Sequence, residues 1–181
     1  METLDKYDVF ILNALQSNGR LTNTELAHRA GLSAAPCWRR VRRLEEQGFI
    51  TGYRAEINRR KVGLGVLAFV RLDAQRNTTD GTRELEAAIT RLPEVVSCHY
   101  ISGTGTFELQ VVAQDLDGFS RFARDSLMNL PNVKDLQTSF SLGEVKAASV
   151  LPLSHLGQRL IGAEPAPAVT KPAKRRRRAG Q

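Results

Sequence analysis

Residues 22–50 read TNTELAHRAGLSAAPCWRRVRRLEEQGFI, and this stretch predicts a helix-turn-helix. Thr22 and Glu25 form the T-x-x-E pattern of a capping box, in which each side chain binds the backbone N–H of the other residue. Gly31 ends the helix that begins at Thr22 after about eight residues, because glycine adopts the left-handed conformation of helix C-termini without strain. Ser33 then begins the next helix as its N-cap. A short helix, a tight turn and a second helix are typical of DNA-binding domains.

One helix is predicted before this stretch and one strand after it. Asp5 is a favoured N-cap residue with an acidic residue three positions later, and apolar residues at helical spacing follow as far as Asn18-Gly19. Gly48 ends the third helix, and Ile50 to Ile57 predict a strand. Together these elements predict a winged-type helix-turn-helix domain over residues 1–60.

The third helix carries arginines on its outer face. On a helical wheel of about 100° per residue, Cys37 and Leu44 point toward the core. Arg39 and Arg42 point outward, with Arg43 on the flank, and such charges repel one another unless an anion neutralises them. The N-terminal part of this helix enters the major groove, so Arg39 is expected on a guanine edge and the other two on phosphate. The predicted DNA-binding residues are Ser33, Ala35, Pro36, Trp38, Arg39, Arg42 and Arg43.

Other interpretations of this helix stay open on sequence alone. Arg39–Arg43 is alternatively a solvated face balanced by Glu45 and Glu46, although the capping box and the tight turn favour DNA binding. Arg40 lies closer to the core side, where an internal ion pair is expected. Trp38 is either a partly buried prop for the helix or a base-contacting flank.

Residues 61–152 predict a second domain of alternating strands and helices. An internal repeat supports it, because Leu92-Pro93-Glu94-Val95 recurs as Leu130-Pro131-Asn132-Val133, 38 residues later. The order β-α-β-β-α-β is the ferredoxin-like one, and the whole chain is therefore predicted to be α+β. The elements are strands at Val62–Asp73, Val95–Ser102, Phe107–Ala113 and Val133–Leu142, with helices at Gly81–Arg91 and Leu116–Leu130.

The net charge of +7 is unevenly distributed. Residues 1–61 carry 11 basic and 7 acidic groups, residues 62–170 carry 9 and 12, and residues 171–181 carry 6 and none. Two basic ends predict a polyanionic partner. Residues 153–181 are predicted to be a flexible basic tail that binds phosphate without base selectivity, the alternative being a solvated tail. Its cations are Lys171, Lys174, Arg175, Arg176, Arg177 and Arg178.

Several other classes of protein are not supported by the sequence. No apolar stretch approaches the length of a membrane helix and no secretory signal is present, so a cytoplasmic protein is expected. Cys37 and Cys98 stand apart without a histidine cluster, so no metal site is predicted. Gly63-x-Gly65-x-x-Ala68 matches a dinucleotide fingerprint but opens a strand instead of following one. We therefore predict no cofactor and no enzymatic activity.

Short motifs run in order along residues 4–152. They are Leu4-Asp5 with Asp8 and Ile11-Leu12, Leu26 through Gly31-Leu32-Ser33, Pro36-Cys37-x-Arg39-Arg40-Val41-Arg42-Arg43-Leu44-Glu45, Gly48-Phe49-Ile50-x-Gly52-Tyr53, Leu92-Pro93-x-Val95, Cys98-His99, Ser102-Gly103, Leu130-Pro131-x-Val133 and Glu144-Val145-Lys146. In these motifs the chain resembles the Lrp/AsnC (feast/famine) regulators. The resemblance implies binding to double-stranded DNA as a homodimer or a larger assembly, up to an octamer. It also implies that the ferredoxin-like domain binds a small effector, usually an amino acid.

The resemblance places the effector site at Gly103, Thr104, Gly105 and Thr106. Family members usually have Gly-Asp-x-Asp here, so two carboxylates are replaced by hydroxyls in this chain. An effector ammonium group would lose charge pairing, which leaves the identity of the amino acid open. A simple hairpin turn is the alternative interpretation of these four residues.

The predicted function is a sequence-specific transcription regulator that responds to a small effector. An architectural nucleoid protein of the same fold is one alternative, and the basic tail supports it. An enzyme is another, because siroheme decarboxylases resemble this two-domain layout, but they have no need for the arginine face of the third helix. A dimer at least is expected, since one sheet face lacks helices and Val62–Asp73 is too apolar to remain in water.

Overall fold

The computed structural model describes residues 4–76, 78–102, 106–147 and 150–157. They form two compact units. The first contains the residues up to Ala55 together with residues 150–157, and the second runs from Glu56 to Ala147. Within the described ranges, no helix has the length and apolar character required to cross a membrane.

Three helices build the first unit, namely α1 (Lys6–Ser17), α2 (Asn23–Ala30) and α3 (Ala34–Glu46). Both predicted capping boxes are formed, from Asp5 with Asp8 and from Thr22 with Glu25. Gly31 ends α2 with φ of 65°, in the left-handed region that glycine tolerates. The three helices enclose one apolar core of Ile11, Leu15, Leu26, Ala27, Cys37 and Leu44.

The strand predicted over Ile50–Ile57 is not formed. Residues 51–57 are exposed and pair with no strand among the described residues. A strand needs the backbone groups of a neighbouring strand, and the described part of the first unit consists of helices and loops. The prediction was wrong because a suitable composition does not supply a partner.

The second unit has the predicted β-α-β-β-α-β order. It consists of β1 (Val66–Ala74), α4 (Thr79–Thr90), β2 (Val95–Tyr100), β3 (Phe107–Ala113), α5 (Leu116–Asp125), a 3₁₀ turn (Leu127–Asn129) and β4 (Val133–Phe140). The four strands form one antiparallel sheet in the order β2-β3-β1-β4. β1 begins four residues later than predicted, because the chain forms a turn over residues 59–63, in which Gly63 has φ of 86°.

The two faces of the sheet differ because successive strand residues point to opposite sides. Helices α4 and α5 cover one face, where the core residues are Ala68, Val70, Leu72, Leu85, Ile89, Phe107, Leu109, Val111, Phe119 and Phe122. The alternate residues form the other face, with Leu67, Phe69 and Val112 near one end and the Arg71–Glu108 ion pair near the other. None of the described helices covers this second face.

The segment for which the sequence predicts the start of a flexible tail begins with one helical turn, α6 (Ser154–Gly157). This turn contacts α1 within the first unit. Residues 158–181, including every predicted phosphate-binding cation of the tail, lie outside the described residues.

Candidate DNA-binding surface and effector loop

The orientation of α3 agrees with the helical wheel. Cys37 and Leu44 are completely buried in the core of the first unit, and Val41 is half-buried beside them. The opposite side of α3 therefore faces solvent. This arrangement leaves an outer surface to which Ala35 and Arg39 belong, both exposed.

The N-terminus of α3 has polar groups available to a partner. Ser33 occupies the N-cap position with an extended backbone, but its hydroxyl makes no capping hydrogen bond. The side-chain amide of Asn23 on α2 donates to the carbonyl of Ala34 at 2.9 Å, which joins the two helices at the turn. Exposed N–H groups at a helix N-terminus attract anions, so phosphate is the partner that this end suits.

Arg39 is the least engaged cation of α3. It is exposed, and its guanidinium makes no hydrogen bond or ion pair with any residue that the structure describes. Arg42 lies beside it but is occupied, since its Nε donates to Glu46 at 2.7 Å and its guanidinium lies 5.4 Å from the centre of the Trp38 ring. Trp38 is half exposed and lies at the flank of this surface, which is compatible with either of the two roles that the sequence leaves open.

Two other arginines of α3 converge on one buried carboxylate. Asp8 on α1 is 1% exposed and accepts hydrogen bonds from Nη1 of Arg40 at 2.9 Å and from Nη2 of Arg43 at 2.6 Å. Asp5 accepts a second bond from the same Nη1 at 2.6 Å. The internal pairing predicted for Arg40 is confirmed. Arg43, which the sequence assigns to phosphate, shares the same acid.

The ion pair between Asp5 and Arg40 shifts the pKa values of both groups. Burial raises the pKa of Asp5. The hydrogen bonds from the Asp8 N–H, from Arg40 and from the Tyr7 N–H, together with the charge of Arg40, lower it by more, so the pKa lies below 3.8. Burial lowers the pKa of Arg40, and the two aspartates outweigh this effect and raise it. Asp5 and Arg40 are therefore both charged at neutral pH.

Sequence patterns did not identify Asp8 as part of this surface. Its only signal was its place in the first turn of α1, where an acidic residue is already explained by the capping box. Asp8 and Arg43 are 35 positions apart in the sequence, so no local pattern could predict their contact.

An open cleft lies on the outer side of the same cluster. Pro36, Arg39, Arg40 and Arg43 line it, and its volume is about 280 Å³. Three guanidinium groups around a small open cleft form a site that suits an anion with several oxygens, such as a phosphodiester.

Tyr53 joins the chain after α3 to the helix itself. Its hydroxyl donates to Oε1 of Glu45 at 2.9 Å. Burial, together with this bond and the negative charge of Glu45, raises the pKa of Tyr53 to about 12. The contact fixes the segment after Gly48 against α3, although no strand forms there.

The predicted effector loop is described only at its last residue. Gly103, Thr104 and Gly105 lie outside the described residues. Thr106 is 8% exposed, and its N–H donates to the carbonyl of Leu72 at 2.8 Å. Its Oγ1 accepts the N–H of Ala74 at 3.1 Å. The hydroxyl of Thr106 therefore binds the end of β1 and stabilises the hairpin that carries the loop.

The described residues contain no group of three or more histidine, cysteine, aspartate or glutamate side chains placed to hold a metal ion. The two cysteines are free thiols, Cys37 being buried and Cys98 exposed.

Two family models match the chain, one for each unit. Residues 4–51 match a winged helix-turn-helix DNA-binding domain, and residues 67–151 match the Lrp/AsnC ligand binding domain. The leucine-responsive regulatory protein of Salmonella typhimurium is 39% identical over 148 residues, which cover 82% of this chain and 90% of that protein. The protein of the same name from Escherichia coli strain K12 is 38% identical over the same length.

Solved structures give the same result. A transcriptional regulator from Neisseria meningitidis in complex with L-Met is 42% identical, covers 85% of this chain and 99% of its own, and has a TM-score of 0.81. An AsnC family regulator from Agrobacterium tumefaciens is 29% identical, covers 84% and 99%, and has a TM-score of 0.79. The predicted fold is confirmed, and the enzyme alternative is set aside. The chain belongs to the Lrp/AsnC family of DNA-binding transcription regulators.

Proposed function

We propose that this regulator recognises specific operators through α3 and changes its DNA binding when an amino acid binds to the second unit. The observation that carries the first part is the state of Arg39, which is exposed and unpaired among the described residues while its neighbours on α3 are engaged. A free guanidinium on the groove-facing side can form the bidentate contact with guanine that specifies a base.

The other residues of the surface have supporting roles. Ser33, Ala35 and Pro36 form the small N-terminal turn of α3, which permits a close approach to the DNA backbone. Arg42 and Arg43 contact phosphate beside the groove, and Trp38 supports the guanidinium of Arg42. Phosphate contacts orient the domain, and base contacts select the operator.

The effector is an amino acid held by the loop of residues 103–106. The Neisseria meningitidis regulator, solved with L-Met, and the ligand-binding family model support this proposal. In this chain Thr104 replaces a family carboxylate, so recognition of the ammonium group relies on neutral oxygens. Weaker charge pairing favours a ligand whose side chain contributes much of the binding free energy.

The chain functions as a homodimer or a larger assembly, up to the octamer of the family, in the cytoplasm where it meets chromosomal DNA. The open sheet face supports this proposal, because none of the described helices covers it and Leu67 and Phe69 are only half-buried there. Light scattering should give a multiple of the 20.0 kDa chain mass, and Phe69→Glu should lower it toward one chain. A mass near 20.0 kDa for the unmodified chain would contradict this part.

Selection of bound sequences from a random duplex pool tests the DNA function. We expect a consensus with two related half-sites, because a symmetric dimer presents α3 twice. Binding without any enriched sequence would instead support the architectural alternative.

The effector is tested by thermal shift with each of the twenty amino acids at millimolar concentration, followed by anisotropy with the selected operator. One or a few amino acids should raise the melting temperature and change the affinity for the operator. If no amino acid changes either quantity, the loop of residues 103–106 has no role as an effector site.

A further inference from the structure

Asp8 is the one fully buried acid of the described first unit, and both arginines that it binds belong to α3. A buried carboxylate is strongly unfavourable without cationic partners, so it constrains the positions of Arg40 and Arg43. Asp5, half exposed at the start of α1, holds Arg40 from the other side. The two aspartates thus connect the N-terminus of α1 to the DNA-facing helix.

The same contacts leave part of each guanidinium unused. Arg40 engages the acids through Nη1 alone and Arg43 through Nη2 alone, and their other nitrogens make no hydrogen bond within the described residues. A guanidinium carries five N–H donors in a fixed plane. The unused donors are those available to the cleft that Pro36 and Arg39 also line.

Charge balance decides what the cleft can attract. Asp5 and Asp8 together offset the charges of Arg40 and Arg43, which leaves Arg39 as the uncompensated cation of the cleft. Phosphate is attracted in proportion to the number of cations that neutralise it, whatever the base sequence. Restraint of two arginines therefore limits binding to any DNA, while the free Arg39 is unaffected.

We propose that Asp8, together with Asp5, is a positioning residue that determines specificity. The two aspartates restrain Arg40 and Arg43 and thereby limit the affinity of α3 for random DNA. This inference rests on the proposed DNA-binding role of α3. It identifies the phosphodiester group as the ligand of the cleft and the ratio of specific to random affinity as the property that Asp8 controls.

Asp8→Asn tests the proposal. The amide keeps the size of the side chain, but it removes the negative charge and releases the Nη2 donor of Arg43, which is then added to the Arg43 donors already available to phosphate. We expect the log–log salt slope for a random duplex to steepen by about 1, since each neutralised phosphate contributes about 0.9. Random affinity should rise by up to about fivefold, and operator affinity should rise less, so that their ratio falls.

Glu46→Gln is the matched control. It changes the net charge by the same amount on the same surface and releases Arg42, but that pair is exposed on both sides and contributes little restraint. We expect Glu46→Gln to change the ratio of operator affinity to random affinity by less than half as much as Asp8→Asn does. Equal changes in both variants would mean that charge alone controls the ratio, which would overturn the proposal.

Asp5→Asn provides a second test if Asp8→Asn does not fold. Asparagine is as good an N-cap as aspartate, so α1 should persist while Arg40 loses one acid. The ratio should fall in the same direction and by less. An equal loss of operator and random affinity would show a structural role only and would overturn the proposal. Failure of the unmodified protein to bind any duplex would instead contradict the proposed function itself.

Discussion

The side-chain amide of Gln16 binds both backbone groups of Leu151, 135 residues further along the chain. Its Nε2 donates to the Leu151 carbonyl at 3.0 Å, and its Oε1 accepts the Leu151 N–H at 2.8 Å. Leu156 follows on α6 and lines, with Leu12 and Leu15 of α1, an apolar cavity of about 350 Å³. Residues 150–157 are thus attached to α1 by the pair of Gln16–Leu151 hydrogen bonds, here called the clasp, and by apolar residues around the cavity.

Gln16→Ala should release this segment without unfolding the unit. The two hydrogen bonds are exposed, so the loss in free energy of unfolding should be about 1 kcal/mol or less. The sharper measurement is hydrogen exchange, in which the Leu151 amide should exchange faster in the variant. Asn13→Ala is the control, because it removes the other partner of the same amide and leaves Leu151 untouched. Unchanged exchange at Leu151 in Gln16→Ala would contradict the clasp.

Arg39→Ala should weaken operator binding by about 1–3 kcal/mol and relax the preference for one base, because a bidentate contact to guanine is lost. Competition anisotropy with operators altered at each position measures both quantities. Arg42→Ala is the comparison, since a phosphate contact should weaken operator and random binding together. An Arg39→Ala variant with unchanged base preference would remove Arg39 from the reading surface.

Thr106→Ala should lower the free energy of unfolding of the second unit by about 1–3 kcal/mol, since it leaves the partly buried N–H of Ala74 without its acceptor. Thr106→Ser keeps the hydroxyl and should retain most of the stability. Chemical denaturation compares them, and equal loss in both variants would show that the methyl group, not the hydroxyl, matters.

Tyr53 should titrate far above an ordinary tyrosine. The difference in tyrosinate absorbance between the unmodified protein and Tyr53→Phe should have its midpoint near pH 12. Because the folded pKa is raised, the stabilising contact is fully present below the ordinary value of 10.0 and is lost as the pH rises toward 12. Glu45→Gln removes the negative charge and should lower the midpoint, while burial keeps part of the shift. A midpoint near 10 in the unmodified protein would contradict the contact.

Local signals predicted most of the first unit correctly. The capping boxes that begin at Asp5 and Thr22, and the left-handed Gly31, depend on residues within one helical turn of each other. Such signals are complete in the sequence, so the positions of the three helices followed from them. The order of strands and helices in the second unit was also predictable, because each element has its own periodicity.

Contacts between distant residues were not predictable in the same way. The strand expected at Ile50–Ile57 depends on a partner that the described unit does not contain. The bond between Asp8 and Arg43 joins residues 35 positions apart, and it changes Arg43 from a free cation into a shared one. Whether residues 50–57 form a strand, and whether Arg43 is a free cation, depends on tertiary neighbours that the local sequence does not contain.

The tail prediction concerns residues beyond those described by the structure and rests on their charge. Six cations lie between Lys171 and Arg178 with no acidic residue among them, so the tail can neutralise several phosphates wherever α3 binds. Full engagement would contribute about 5 to the log–log salt slope, at about 0.9 for each phosphate. Engagement for only part of the time would reduce this value, so truncation after Ala163 should lower the slope by about 2–4.

The effect of truncation on operator affinity and on random affinity identifies what the tail does. Phosphate contacts carry no base information, so both affinities should fall together and their ratio should stay nearly constant. The matched control keeps the chain length and replaces the six cations with glutamine, and it should reproduce the truncation if charge is the cause. Fluorescence anisotropy across a salt series measures all three proteins on both duplexes. An unchanged slope would remove the tail from the DNA complex. A fall in operator affinity alone would mean that the tail contacts bases, for which the minor groove is the accessible route to an arginine-rich segment.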